Sequence, residues 1–247
     1  MGLVNWIKSF GEKVLYYPGC LTKGVLEEQF ENYKDIFNRI GIDFILLSDK
    51  EVCCGSPVSN AGYKKDARKL AKKNFEIFKK NNITKIVTNC PACYYMFNEV
   101  YPSLVREWDI EVEHATITIL NALKRKKIKY KGLDEDREIV AYHDPCHLGR
   151  YSEIYEEPRE VIKLLGGKIL EAKFNRDNAY CCGGGAGVRA NFPEVAKAVA
   201  KKKVSFVPKS AGKIISPCGL CYSNIKSATD KSVEFSSFVL GKLKEMK

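Results

Sequence analysis

Ten cysteines fall into two groups of five, in the same order in each half of a 247-residue chain. Cys20 is followed after 32 residues by the vicinal pair Cys53-Cys54 and, after 35 more, by Cys90 and Cys93. Cys146 is followed after 34 residues by Cys181-Cys182 and, after 35 more, by Cys218 and Cys221. Vicinal pairs repeated at matched spacing have no packing rationale, so inert core thiols do not explain them. Soft thiolates select zinc, copper(I) or iron–sulfur clusters. Structural zinc takes four ligands, as does a four-cysteine cube, so five thiolates are one too many for either. The surplus implies an unusual cluster, a bridging thiolate or a free reactive thiol. A lone C-x-x-C would suit a thioredoxin-like redox pair, and zinc in one half stays open; iron–sulfur binding in both halves accounts for the whole set. Glycine follows each vicinal pair, at Gly55 and at Gly183-Gly184-Gly185, where its backbone N–H groups can reach sulfur.

The residues around the cysteines repeat as well. Lys85-Ile86-Val87-Thr88-Asn89-Cys90-Pro91-Ala92-Cys93 lies 128 positions before Lys213-Ile214-Ile215-Ser216-Pro217-Cys218-Gly219-Leu220-Cys221. Glu51 to Gly55 answers Ala179 to Gly183 at the same offset. The chain is a duplication. A boundary is expected near Gly132, after the basic run Lys124 to Lys131, giving modules 13–132 and 133–247 behind a short extension, 1–12.

Each half alternates short apolar strands with amphipathic helices. Strands are expected at Val14–Tyr17, Asp43–Leu47 and Lys85–Thr88, then at Ile139–Tyr142, Lys168–Leu170 and Lys213–Ser216. Helices are expected at Leu26 to Ile40, ended by Gly41, at Lys64 to Lys79, near Glu157–Leu165 and at Pro193–Val204. Val112-Glu113 and Val233-Glu234 each open a closing helical stretch. The fold class is α/β: two pseudo-symmetric modules with small parallel sheets covered by helices, related by internal duplication. Cys20, Cys90, Cys146 and Cys218 then lie just past strand ends, the edge where open parallel sheets bind ligands. The five sulfurs of each half are expected in one pocket.

Composition narrows the function classes. A 45% apolar share supports a packed core. No apolar run reaches the ~18 residues of a membrane span, and the start has no export-signal pattern. Reduced thiols in a cytoplasmic protein, joined to a membrane only through a partner, are the expectation. The formal charge of +11 invites a nucleic-acid reading. Much of it lies on helix faces such as Lys64, Lys65, Arg68, Lys69, Lys72 and Lys73, and ten thiolates around two clusters would lower the net charge to about +5. No nucleic-acid partner is expected.

The frame Tyr17-Pro18-Gly19-Cys20, Cys53-Cys54-Gly55, Asn89-Cys90-Pro91-Ala92-Cys93, His143-Asp144-Pro145-Cys146-His147, Cys181-Cys182-Gly183-Gly184-Gly185 and Pro217-Cys218-Gly219-Leu220-Cys221 resembles the cysteine-rich CCG-domain family, to which the catalytic iron–sulfur subunit of heterodisulfide reductase belongs. The resemblance implies two noncubane [4Fe–4S] clusters, one held by Cys20, Cys53, Cys54, Cys90 and Cys93, the other by Cys146, Cys181, Cys182, Cys218 and Cys221. It also implies two-electron disulfide or thiol chemistry on a small molecule held between the clusters. The Tyr-Pro-Gly-Cys opening and the His-Asp-Pro-Cys-His-Leu-Gly-Arg stretch look more like the CCG part of longer members that carry a ferredoxin domain, so a separate ferredoxin-like iron–sulfur subunit is the expected donor. The family also includes electron-transfer subunits of flavin-linked lactate, glycolate, glycerol-3-phosphate and succinate or fumarate oxidoreductases. A flavoprotein partner is therefore the alternative, and a zinc scaffold is a third reading.

Other residues are weaker candidates. His143 and His147 bracket Cys146 and could donate to cluster sulfide or carry a proton to a thiolate product, or only fix the loop. His114 has a structural role at the start of a helix. Arg150 and Arg189 could meet an anionic substrate, with salt bridging the blander alternative. Leu3, Val4, Ile7 and Phe10, with Trp6 beside them, share helical spacing suited to docking on a partner or membrane, or to packing on the chain's own domain. Trp6 at the Ser/Thr position argues against myristoylation.

Overall fold

The computed structural model describes residues 13–245, so the expected amphipathic extension, 1–12, lies outside the described residues. In the first half β1 (Val14–Tyr17), β2 (Lys85–Thr88) and β3 (Glu111–His114) form a parallel sheet in the order β1-β2-β3, in register from Val14↔Lys85↔Glu111 to Tyr17↔Thr88↔His114. In the second half β4 (Glu138–Tyr142), β5 (Gly167–Ile169), β6 (Lys213–Ser216) and β7 (Ser232–Glu234) form a parallel sheet in the order β5-β4-β6-β7. Inner strands such as Ile86-Val87-Thr88 are buried without alternation, as strands covered on both faces are.

The covering helices follow their apolar stripes. Helix α1 (Cys20–Gly24) leads into α2 (Glu27–Ile40), which buries Tyr33, Ile36, Phe37 and Ile40 and ends at Gly41 with φ 70°. Helix α3 (Lys64–Lys80) buries Ala67, Ala71, Asn74 and Phe78 and turns its basic residues to solvent. Helix α4 (Pro91–Tyr95) carries the first C-x-x-C into a π turn at Met96–Val100, and α5 (Ala115–Arg125) closes the first half. The second half repeats the plan with α6 (Glu156–Leu164), α7 (Pro193–Val204), α8 (Gly219–Lys226) and the closing helix α9 (Phe235–Glu245).

The two halves share one core. Helix α5 of the first half packs on α6 of the second, and α9 of the second packs on α2 of the first, so each closing helix covers the other half's leading helix. Tyr16, Tyr33, Ile36, Leu123, Val140, Val161, Phe235 and Val239 belong to this single buried cluster. Each half keeps a smaller core of its own behind its cysteines.

Three expectations need correction. Asp43–Leu47 is not a strand: it makes one parallel bridge, Leu15↔Ile45, while Leu47 N–H turns away to the Glu51 carboxylate. The corresponding segment of the second half does pair, as β5. Val112-Glu113 and Val233-Glu234 do not open helices; they lie in β3 and β7, and the last residue of each strand caps the helix that follows. Thr116 N–H donates to His114 Nδ1 at 3.4 Å, and Ser236 N–H to Glu234 Oε2 at 2.6 Å. Among the described residues no helix is long and apolar enough to cross a membrane.

Candidate metal centres

In the first half the five cysteines gather at the carboxyl edge of the sheet. Cys20 opens α1 directly after β1, and Cys90 and Cys93 flank the turn from β2 into α4. The strand-to-helix turn at Gly19 takes φ 77°, and a Cβ there would lie 3.1 Å from Cys93 Sγ, so only glycine lets this backbone reach the sulfurs. Cys54 Sγ lies 3.3 Å from Cys93 Sγ, and Cys53 and Cys90 pack against the buried cluster that these two belong to. Gly55 N–H donates to Cys53 Sγ at 3.4 Å. Cys20 is exposed and Cys54 and Cys93 are buried, so the set runs from the surface inward.

The second half repeats the arrangement with differences. Cys182 and Cys221 share one buried cluster, with Cys218 packed against it. Gly183 N–H donates to Cys181 Sγ at 3.3 Å and Gly184 N–H to Cys182 Sγ at 3.4 Å. Cys146 lies near the set, with Cys182 and Cys218 as its electrostatic neighbours and His147 Nδ1 3.5 Å from its Sγ. His143 is buried, and its nearest ring nitrogen shares a space 4.8 Å across with Cys182 and Cys221. Tyr17, the residue at the matching position before Cys20, instead donates its hydroxyl to Val52 O at 2.7 Å.

Electrostatics test whether such sites suit a metal centre. Hydrogen bonds from Cys20 and Cys54 pull the Cys53 thiol down to about 2, and one from Cys93 brings Cys90 to about 7. Cys20, Cys54 and Cys93 are pushed up, first because each donates to a neighbouring thiolate and then by burial. Cys182 is likewise pulled down by the Cys181 and Cys221 thiols, which are themselves pushed up. Five sulfurs this close cannot all ionise unless a cation shares the space. The soft donor set, the crowding and the backbone N–H groups aimed at sulfur fit an iron–sulfur cluster.

The two cysteine edges meet across the seam. A Cβ on Gly219, between Cys218 and Cys221, would fall 2.5 Å from Leu26 Cδ1 and 3.5 Å from Leu21 Cδ2, beside Cys20. Reciprocally, Tyr95, just past Cys93, meets the His147 and Tyr151 rings beyond Cys146 at centroid distances of 5.9 and 5.6 Å.

The remaining candidates sort out as follows. His114 is buried and caps α5, as expected of a structural residue; burial depresses it to about 3. Arg150 makes no salt bridge among the described residues: its Nη1 donates to Asp177 O at 3.2 Å and Ala179 O at 2.8 Å, bracing the approach to Cys181. Arg189 is exposed. Sequence reasoning missed Arg159, which is fully buried, forks onto Asp144 at 2.6 and 2.9 Å and Glu171 at 2.7 and 2.9 Å, and lies over the Tyr142 ring. It also missed Asn74, whose Nδ2 holds Cys53 O at 3.1 Å, Asn224, whose Nδ2 holds Cys182 O at 2.6 Å, and Lys203, 1% exposed on α7. A polar side chain on a stripe of small apolar residues was the available signal for Asn74 and Lys203.

Fold and site define a duplicated cysteine-rich α/β protein with paired thiol sites at facing sheet edges. The CCG cysteine-rich domain family matches residues 14–98 and again 140–226, and the chain belongs to that family. It is 35% identical to a subunit of the dihydromethanophenazine:CoB–CoM heterodisulfide reductase of Methanosarcina acetivorans, over 88% of the chain and 54% of that protein. It is 30% identical to an uncharacterized iron–sulfur protein of Methanocaldococcus jannaschii over 90% of the chain and 42% of that protein, and 29% identical to the EtfAB:quinone oxidoreductase of Syntrophomonas wolfei over 75% and 26%. The chain thus spans about half or less of the length of these relatives.

Proposed function

We propose that the chain is the iron–sulfur catalytic subunit of a heterodisulfide-reductase-like complex in the cytoplasm, an oxidoreductase acting on sulfur groups. Its units are the modules 13–132 and 133–247. Cys20, Cys53, Cys54, Cys90 and Cys93 would hold one noncubane [4Fe–4S] cluster, and Cys146, Cys181, Cys182, Cys218 and Cys221 the other. When bound, the pair would supply two one-electron couples, the number of electrons that cleaving one disulfide takes. The observation carrying this reading is the meeting of both cysteine edges at one seam, with Gly219 against Leu21 and Leu26 on one side and Tyr95 against His147 on the other.

The chain's own residues then have definite tasks. The N–H groups of Gly55, Gly183 and Gly184 stabilise thiolate charge at Cys53, Cys181 and Cys182. His147 presents Nδ1 beside Cys146 and carries the proton that a departing thiolate takes up, while Tyr95 and Tyr151 shield the ring from water. His143, buried within 4.8 Å of Cys182 and Cys221 with both ring nitrogens unpartnered among the described residues, would donate to what those thiolates hold rather than meet a substrate. The reaction balances: one S–S bond breaks, two electrons from a ferredoxin-like partner and two protons enter, and two S–H bonds form.

Similarity to an EtfAB:quinone oxidoreductase favours a second reading, an electron-transfer subunit beside a flavoprotein. Anaerobic turnover separates them. Chain loaded with iron and sulfide, reduced by a viologen dye and given mixed small-molecule disulfides, is expected to release two thiols per disulfide. Full loading with no thiol release, together with electron transfer from a co-purifying flavoprotein, would select the second reading.

A further inference from the structure

The helices behind the two vicinal pairs are built to one register. Helix α3 buries Ala67, Ala71 and Asn74, and α7 buries Ala196, Ala200 and Lys203, the same spacing of four and then three. The glycine after each vicinal pair lies on the first member of its stripe: Gly55 against Ala67 Cα and Leu70, Gly183 against Ala196 O and Val199. Lys203 therefore occupies the place of Asn74. Asn74 has work there, since its Nδ2 holds Cys53 O and the Tyr101 hydroxyl. In the second half Asn224 of α8 holds the carbonyl of the second member of the pair, Cys182 O at 2.6 Å, with Ala196 O at 3.0 Å; the matching carbonyl of the first half, Cys54 O, is held by the Tyr101 hydroxyl at 3.0 Å.

What remains at position 203 is an ammonium group with no ion pair among the described residues. The two carboxylates whose charge reaches it, Asp144 and Glu171, are both forked onto Arg159. Val204, its chain neighbour, packs against the cluster of Cys182 and Cys221, and the charges of those two thiols act on Lys203 as well. Burying a cation is costly, and a neutral Asn at the same place in the first half shows that the packing does not demand one. A fixed positive charge in a low-dielectric interior favours the more negative, reduced state of whatever the neighbouring thiolates hold.

We propose that Lys203 biases the pair of centres, giving the second the higher reduction potential so that an electron arriving at the first moves on to the second. This rests on the reading that both cysteine sets hold iron–sulfur clusters. The test is an anaerobic redox titration followed by electron spin resonance on the full chain, after iron and sulfide analysis. The centre whose signal disappears in Cys146→Ser is taken as the second. Lys203→Gln is expected to lower the potential of that centre alone and to shift the partition of one electron between the centres by about tenfold, about 59 mV for a one-electron couple. Asn74→Lys is expected to raise the potential of the first centre. If Lys203→Gln loses iron from the second site, Lys203→Arg is expected to retain it. Two loaded centres whose potentials ignore Lys203→Gln, or move together, would overturn the inference, as would equal loss of iron in the Gln and Arg variants. Absence of iron from the unaltered chain would instead overturn the cluster reading itself.

Discussion

The two halves carry the same thiol frame on different supports, and the difference lies in charge. Around the first set the loops are tied by neutral groups: Tyr16 Oη donates to Asn89 Oδ1 at 2.9 Å, Asn89 Nδ2 to Thr22 Oγ1 at 3.0 Å, and Asn74 to the Cys53 carbonyl. Around the second set the supports are ionic: Arg159 between Asp144 and Glu171, and buried Lys203, on which the charges of Cys182 and Cys221 act. Duplication supplied a geometry for sulfur twice, and among the described residues only the second copy buries charged Asp, Glu, Lys or Arg side chains.

Removing Arg159 is the strongest way to sharpen this contrast. Arg159→Met leaves Asp144 buried without its partner beside Cys146, and a loss of about 3–5 kcal/mol is expected by chemical denaturation. Tyr16→Phe, which cuts the neutral tie in the first half, is expected to cost only about 1 kcal/mol. Equal losses would erase the distinction.

The helix caps after β3 and β7 oppose each other in pH. Burial raises Glu234 from 4.5 to about 7, so the stability its protonated form lends is complete below pH 4.5 and drains away as pH rises to about 7. Burial lowers His114 from 6.5 to about 3, so its contribution is complete above pH 6.5 and is lost as pH falls toward about 3. Urea melts from pH 5 to 8 should show Glu234→Gln losing a decline on the order of 3 kcal/mol. His114→Gln should lose the opposing rise. Slopes of the same sign in both variants would contradict these assignments.

Smaller effects test the carbonyl anchors. Asn74→Ala and Asn224→Ala each leave a buried carbonyl beside a vicinal pair without its donor, at about 1–3 kcal/mol by thermal melting. The smallest is Tyr17→Phe, which removes the bond to Val52 O and is expected to cost about 1 kcal/mol. Matched losses in the two Asn variants would show that each half anchors its vicinal pair through one buried amide, from α3 in the first and from α8 in the second.

Much of this molecule is legible in its residues. The repeat of Lys85–Cys93 in Lys213–Cys221 predicts the duplicated strand-to-helix turns, and stripes such as Ala67, Ala71 and Phe78 place α3 within a residue of its end. The three-residue β7 and four-residue β3 were missed because such runs are too short to show a period, and a charged cap at the strand end looks like the first turn of a helix. Buried Arg159 and Lys203 were missed for another reason. Charged residues belong outside by default, and only the fold reveals that Asp144 and Glu171 wait for one and that the other lies inward of an alanine stripe.

Iron and acid-labile sulfide per chain, measured after anaerobic purification, test the central claim most directly. The account predicts about eight of each, falling by half in both Cys20→Ser and Cys146→Ser. Zinc without sulfide, or cystine bridges joining the ten thiols, would contradict it.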